Sequence, residues 1–150
     1  MIMYWNVLGW PNPFGPNGMV YNVDPNGFLT RMPVQQLVLT VPGVDLSNPA
    51  SGDSPVLSTF DFTPTIDGSY EIRHFADVVS GTAGFLIEEP DGTEIFQTPA
   101  DTTLENGRLS VTENDKTVTI ELEGGITYTF QSFAGGGGNI DNYQFEITLI

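Results

Sequence analysis

A single histidine (His74), no cysteine, and nineteen carboxylates set against four cations bound the chemistry open to this 150-residue chain. One imidazole without thiols cannot furnish a zinc site or a cysteine–histidine pair. A serine triad would need His74 as its base, and no nucleophile-elbow spacing surrounds any serine. His74 continues the alternation of Tyr70 and Ile72, so it is expected as a hydrogen-bonded residue at a strand end. Glu88, Glu89, Glu121 and Glu123 are glycosidase carboxylates only in kind, and Glu121 and Glu123 share the polar side of one strand, where solvation accounts for them. A sandwich of about 115 residues without a large insertion also leaves little room for a deep cleft. No enzymatic activity and no resident cofactor are expected. Calcium is the one metal whose chemistry fits, since it takes several oxygen ligands and Asp61, Asp67, Asp77, Asp91, Asn139 and Asp141 offer them. Asp61, Asp67, Asp91 and Asp141 form the candidate set. No EF-hand spacing supports it, and Asp is favoured at turns for backbone reasons alone.

The cations are Arg31, Arg73, Arg108 and Lys116, and the formal net charge is -15. Phosphate backbones and anionic membrane surfaces are repelled by such a chain, so neither nucleic acid nor membrane insertion is expected. No run approaches the ~20 apolar residues that cross a bilayer. Taking Met1 as the native start, Met1 to Trp10 lacks a basic n-region, and Asn6 and Gly9 interrupt its apolar stretch, so export by an ordinary signal peptide is not expected. An acidic, lysine-poor surface suits solubility outside the cell, high salt or divalent cations.

Two regions must position whatever chemistry exists. Residues 1–33 hold both tryptophans, Trp5 and Trp10, together with Tyr4, Phe14, Tyr21 and Phe28, and five prolines. Gly9 to Gly18 is turn and extended chain, because Pro removes donors and Gly and Asn tolerate left-handed conformations. Short strands are expected at Met19–Val23 and Gly27–Arg31 around the Asp24-Pro25-Asn26-Gly27 turn. A nearly uncharged aromatic arm is an aggregation hazard in water, so it is expected to be pinned, either on its own domain or on a neighbouring chain. Trp5, Trp10, Phe14 and Tyr21 are the candidate partner- or ligand-binding residues, since large aromatics dominate interfaces.

From Val34 to Ile150 the pattern changes to period two. Leu37, Leu39 and Val41 alternate with polar or smaller partners; Phe60 and Phe62 flank Asp61; Tyr70 and Ile72 flank Glu71; Phe85 and Ile87 flank Leu86. Lys116–Glu123 sets Val118, Ile120 and Leu122 against Thr and Glu. Ile126, Tyr128 and Phe130 alternate with threonines, and Tyr143, Phe145, Ile147 and Leu149 share a face. One apolar face per strand marks antiparallel sheets with one side in a core. Turn signals separate the runs at Asp67-Gly68, Pro90-Asp91-Gly92, Asn106-Gly107, Asn114-Asp115 and Gly124-Gly125. The fold class is therefore all-β, an antiparallel, jelly-roll-like β-sandwich over residues 34–150 preceded by an extended Pro/Gly/aromatic arm over 1–33.

Phe60-Asp61-Phe62-Thr63-Pro64, Asp67-Gly68-Ser69-Tyr70-Glu71-Ile72, Ile87-Glu88-Glu89-Pro90-Asp91-Gly92-Thr93, Val118 to Phe130 and Asn142 to Thr148 follow one another in an order that resembles bacterial pre-peptidase C-terminal domains. Residues 57–150 are similar also to family 6 and family 35 carbohydrate-binding modules, whose last strand follows a Gly-rich loop ending in Asn or Asp. Gly135 to Gly138 with Asn139-Ile140-Asp141 match that loop. By itself the glycine run reads as a hairpin or inter-sheet connector, and as a site its small residues would let a ligand or partner approach the backbone beside Asn139 and Asp141. The Ala-Glu calcium motif of the carbohydrate modules is not recognisable in this chain. The Gly run itself lacks the Gly-Lys-Ser/Thr ending of a phosphate loop.

Two functions follow from these readings. The first is a structural subunit of a particle surface, such as a phage or virus head-decoration, fibre or tail component, assembling as a homo-oligomer or in a larger assembly through its arm. The second is a secreted carbohydrate-binding or protease-appended module, with a glycan partner and a stabilising calcium. Both place the protein on a virion or extracellular surface.

Overall fold

The computed structural model describes residues 21–23, 29–31, 36–50 and 55–150, the first two stretches by their backbone only. Its chain divides into two units, Met1–Gln36 with Ile150, and Leu37–Leu149. In the first unit, β1 (Tyr21–Val23) pairs antiparallel with β2 (Leu29–Arg31) in the register Val23↔Leu29. These are the two short strands expected around the Asp24–Gly27 turn. The expectations for Trp5, Trp10, Phe14 and the Tyr21 side chain lie outside the described residues.

The second unit is built from β3 (Gln36–Asn48), β4 (Val56–Phe62), β5 (Gly68–Ser80), β6 (Ala83–Glu88), β7 (Glu94–Gln97), β8 (Asp115–Leu122), β9 (Tyr128–Ala134) and β10 (Gly138–Leu149). They form two four-stranded antiparallel sheets, ordered β3-β10-β5-β8 and β4-β9-β6-β7. The pairs are nested. β6 meets β7, β5 meets β8, β4 meets β9 and β3 meets β10, as in one long hairpin folded across itself. The remaining neighbours, β10 with β5 and β6 with β9, are made by that fold-over. This is the connectivity of a jelly roll.

Period-two alternation makes the core. Tyr70, Ile72, His74, Ala76 and Val78 of β5 all face inward, as do Phe85 and Ile87 of β6, Tyr128 and Phe130 of β9, and Tyr143, Phe145 and Ile147 of β10. Their rings interlock. Phe130 lies 4.7 Å from Phe60 in a stacked pair, and Phe85 meets Phe145 edge-on at 5.1 Å. Such geometries follow the ring quadrupole and add to the area buried. Tyr70, also buried, donates its hydroxyl to the Ile66 carbonyl at 2.7 Å and so ties the β4–β5 turn to the strand it precedes.

Two expectations need correction. Leu37 shares the phase of Leu39 and Val41 but is 56% exposed, at the very start of an edge strand. Asn139 and Asp141 do not end a loop: they are strand residues of β10, paired with Ser80 and Asp77 of β5. The buried Ile140 between them explains why the strand begins at Gly138, since it fills the inward position that a loop would leave empty.

Phe130 contacts three other core rings. Phe130→Ala is expected to lower unfolding free energy by about 3–5 kcal/mol, to be measured by urea denaturation; a loss below about 1 kcal/mol would contradict this account of the core.

Candidate functional site

The largest departure from regular sheet lies on the outer side of β10. Between the pairs Asp141↔Asp77 and Gln144↔Phe75, β10 has two residues, Asn142 and Tyr143, opposite the single Ala76 of β5. This is a β-bulge, a device that bends a strand and re-aims side chains. It is required because Ile140 and Tyr143 both point into the core, and a spacing of three does not fit a period of two. Asp141 and Asn142 are consequently both thrown outward. Asn142 takes φ 56°, the left-handed region, which Asn tolerates better than most residues. Its N–H donates to Asp45 Oδ1 at 2.9 Å, and its side chain lies so closely on Gly43 of β3 that a Cβ there would overlap it.

Beside the bulge is a hollow of about 190 Å³ lined by Phe75, Ala76, Asp77, Asn114, Asp115, Asn142 and Gln144. One wall is rigid. Arg73 donates to both carboxylate oxygens of Asp115, at 2.9 and 2.6 Å, and to Glu146 at 3.0 Å, while its guanidinium lies 4.1 Å from the centre of the Phe75 ring. The two carboxylates hold Arg73 firmly protonated, and the guanidinium in turn holds the Asp115 carboxyl below its ordinary range. Asn114 and Asp115 also border a broader, shallower hollow running along β8 past Glu113 and Thr117 toward Thr103 and Glu105.

On the inward face of the same strand, β5, lies His74. His74 is 1% exposed and its Nδ1 lies 2.8 Å from the Tyr143 hydroxyl, with its other polar contact to the Gly107 backbone. It is hydrogen-bonded, as its phase suggests, but sits mid-strand in β5 and not at a strand end. Burial first, and the Lys116 charge second, push its pKa down to about 3, so the ring is neutral. Lys116, buried on the inward face of β8, donates to the Leu104 carbonyl at 2.5 Å and to Glu113 at 2.7 Å. These contacts fasten the long connection between β7 and β8 to the sandwich, helped by the Leu109–Ala83 bridge and by Arg108, whose guanidinium lies 4.7 Å from the centre of the Phe133 ring. A walled-in neutral imidazole has no path to a substrate, so it does not serve as a surface base.

The sequence-derived metal residues are spread over four places. Asp61 accepts from Thr129 on the outer face of β4, Asp67 accepts from the Gly124 N–H, Asp91 accepts from the Thr93 N–H in the β6–β7 turn, and Asp141 lies opposite Asp77. Among the described residues no three His, Asp or Glu side chains are grouped so as to hold a metal ion. Asp77 and Asp141 are brought together, and Asn139 lies just beyond them opposite Ser80. The residues missed by sequence reasoning are Asn142, Gln144, Phe75 and Asn114. The odd spacing of Ile140 and Tyr143 could have pointed to Asn142, whereas Phe75, Asn114 and Gln144 are brought together only by the pairing register.

No family model and no curated protein matches this chain. Solved structures do. A CBM35 from Paenibacillus barcinonensis is similar with a TM-score of 0.39 and 13% identity, over 75% of this chain and 95% of that one. A chain of infectious bursal disease virus, Gx strain, is similar with a TM-score of 0.41 and 12% identity, over 85% of this chain and 35% of that one. An exo-beta-1,3-galactanase from Phanerochaete chrysosporium has a TM-score of 0.34 and 16% identity, over 87% of this chain and 33% of that one. Each of these likenesses is one of fold.

Because the unfolded His74 titrates near 6.5 and the native one near 3, acid protonates the unfolded chain first. Stability should therefore fall as pH drops below about 6.5, by up to roughly 1.4 kcal/mol per pH unit, until the native ring titrates as well. Asp115, held low by Arg73, acts in the same direction at lower pH. Urea melts across pH 4–7 (a window of roughly three units) should show this slope, flattened in His74→Gln; an equal slope in that variant would refute the assignment.

Proposed function

We propose that the protein is a non-enzymatic structural subunit of a particle or extracellular surface, which works by associating with further copies of itself. One observation carries this reading. β3 and β4 are the first strands of their sheets, and β10 packs against β9, the second strand of each, so both edges bound the same side of the sandwich. That side exposes Leu37, Val38 and Val44 on β3 and Val56 and Leu57 on β4. Residues 36–44 and 55–60 contain no charged side chain. In a molecule of net charge -15, a second copy is repelled from most of the surface and meets no carboxylate along these stretches. Free strand edges also carry unpaired backbone donors and acceptors, and apolar edge residues left in water favour pairing with another chain.

The arm at residues 1–33 fits the same reading from its sequence, being aromatic and nearly uncharged and leading directly into β3. Phage or virus head-decoration, fibre or tail subunits are the particles whose needs match: an acidic soluble body, no disulfides, and contacts made through an edge and an arm. The hydrogen-bonded, buried state of His74 supports a non-catalytic role.

Size-exclusion chromatography with light scattering on the full chain tests this. The wild type should elute as an oligomer, and Leu37→Lys with Val56→Lys should shift it toward monomer without changing its circular dichroism. A wild-type monomer at every concentration up to the solubility limit would overturn the proposal.

A further inference from the structure

We infer that Arg108 is the charged contact of the self-associating side: its guanidinium takes a carboxylate of a second copy of this chain where that side begins, beside Val56. The inference rests on association through β3 and β4 and names the ionic contact within it.

Three observations carry it. The first is place. Gly84 of β6, Phe133 of β9 and Val56 of β4 occupy paired positions and form one row across the outer face of their sheet. Arg108 lies along that row. A Cβ at Gly84 would stand 3.0 Å from Arg108 Cγ and 2.9 Å from the Phe133 ring, and the guanidinium is 4.7 Å from the centre of that ring. The side chain therefore runs from the β7–β8 connection over β6 and β9 toward the open edge at β4, where Val56 is exposed. Only glycine at position 84 leaves this path free.

The second is charge. Arg73 is bonded to Asp115 and Glu146, and Lys116 to Glu113. Among the described residues Arg108 has no ion-pair partner. Burial alone depresses its pKa, with no carboxylate to raise it. Glu88 and Asp61, carboxylates of the same face, stand in the row of Thr129, roughly 13 Å along β9 from Phe133. In a chain with nineteen carboxylates a cation without one is exceptional, and this one stands beside the uncharged stretch 55–60. A free anion is repelled by the net charge and gains nothing from Val56. A carboxylate carried by a second copy arrives with apolar surface to bury.

The third is cost. Arg108 Nε is buried without an acceptor, and an orphaned donor counts against the folded monomer. Covering Phe133 does not require it, because a methionine stem would shield the same ring with no donor to bury. What arginine alone supplies is a planar charged fork, held on the Phe133 ring before a partner arrives.

Sedimentation velocity on the full chain at low ionic strength tests this with Arg108→Met, Arg108→Glu and Arg108→Lys. Arg108→Met keeps a stem over Phe133, so it should hold the wild-type melting temperature in dilute solution while weakening association about tenfold. Arg108→Glu should weaken it further, and Arg108→Lys, which keeps the charge, should fall between wild type and Arg108→Met. The gap between wild type and Arg108→Met should narrow as salt rises. A monomeric wild type would sink the self-association reading and this inference with it. An oligomeric wild type matched by Arg108→Met at low salt would leave that reading standing and overturn this one. Inorganic phosphate that raises the melting temperature of the wild type but not of Arg108→Met, while the two associate alike, would make Arg108 a small-anion site and overturn it too.

Discussion

Ile140 and Tyr143 must both be buried, yet a pleated strand turns residues three apart to opposite faces. The tenth strand resolves this with one extra residue, and much of the surface chemistry follows. The bulge places Asn142 in a left-handed conformation, which demands a glycine opposite it on β3, and Gly43 is there. β3 changes phase across the same point: Leu39 and Val41 turn inward on one side of it, Leu46 and Asn48 on the other. Two neighbouring strands thus slip their alternation side by side. Past the bulge, Phe145 and Ile147 lie directly opposite His74 and Ile72 of β5.

Below that seam the interior is apolar with a few fully engaged polar groups. His74 and Tyr143 satisfy each other, Lys116 is bonded to a carbonyl and a carboxylate, and Asn48 donates to the Ala134 carbonyl. His74 with Tyr143 joins β5 to β10, Asn48 with Ala134 joins β3 to β9, and Lys116 ties the β7–β8 connection to β8. Burial of an unpaired polar group costs more than a hydrogen bond returns, so these pairings fix where the β7–β8 connection must lie. Arg73 braces an outer face and Lys116 anchors a loop through ion pairs, whereas Arg108 lies over the Phe133 ring with its Nε buried and unpaired.

Alternation made the architecture legible. Tyr70-Glu71-Ile72, Val118 to Leu122 and Tyr143 to Ile147 declare their faces by residue type alone, and the glycine-containing turns separate them. What was not legible came from places where the period breaks or the chain runs past its partner. Leu37 has the right phase but lies exposed at the start of an edge strand, and residues 139–141 read as loop because four glycines precede them and a polar residue flanks Ile140 on each side. The hollow was hidden for a further reason: its residues come from β5, β8 and β10, and only the pairing register brings Phe75, Asn114 and Gln144 together.

The nested pairing also orders the chain in time as well as in space. β6 and β7 close across a single turn, β5 and β8 across a longer stretch, β4 and β9 longer still, and β3 and β10 span nearly the whole body. The entropy of closing a loop grows with its length, so each pair is easier to form once the one inside it exists. β3 is the outermost layer of this sequence, the last to gain a neighbour and the first that can be given up without undoing the others. Of the two edge strands that expose apolar residues, β3 is therefore the one whose attachment to its own chain is topologically least protected.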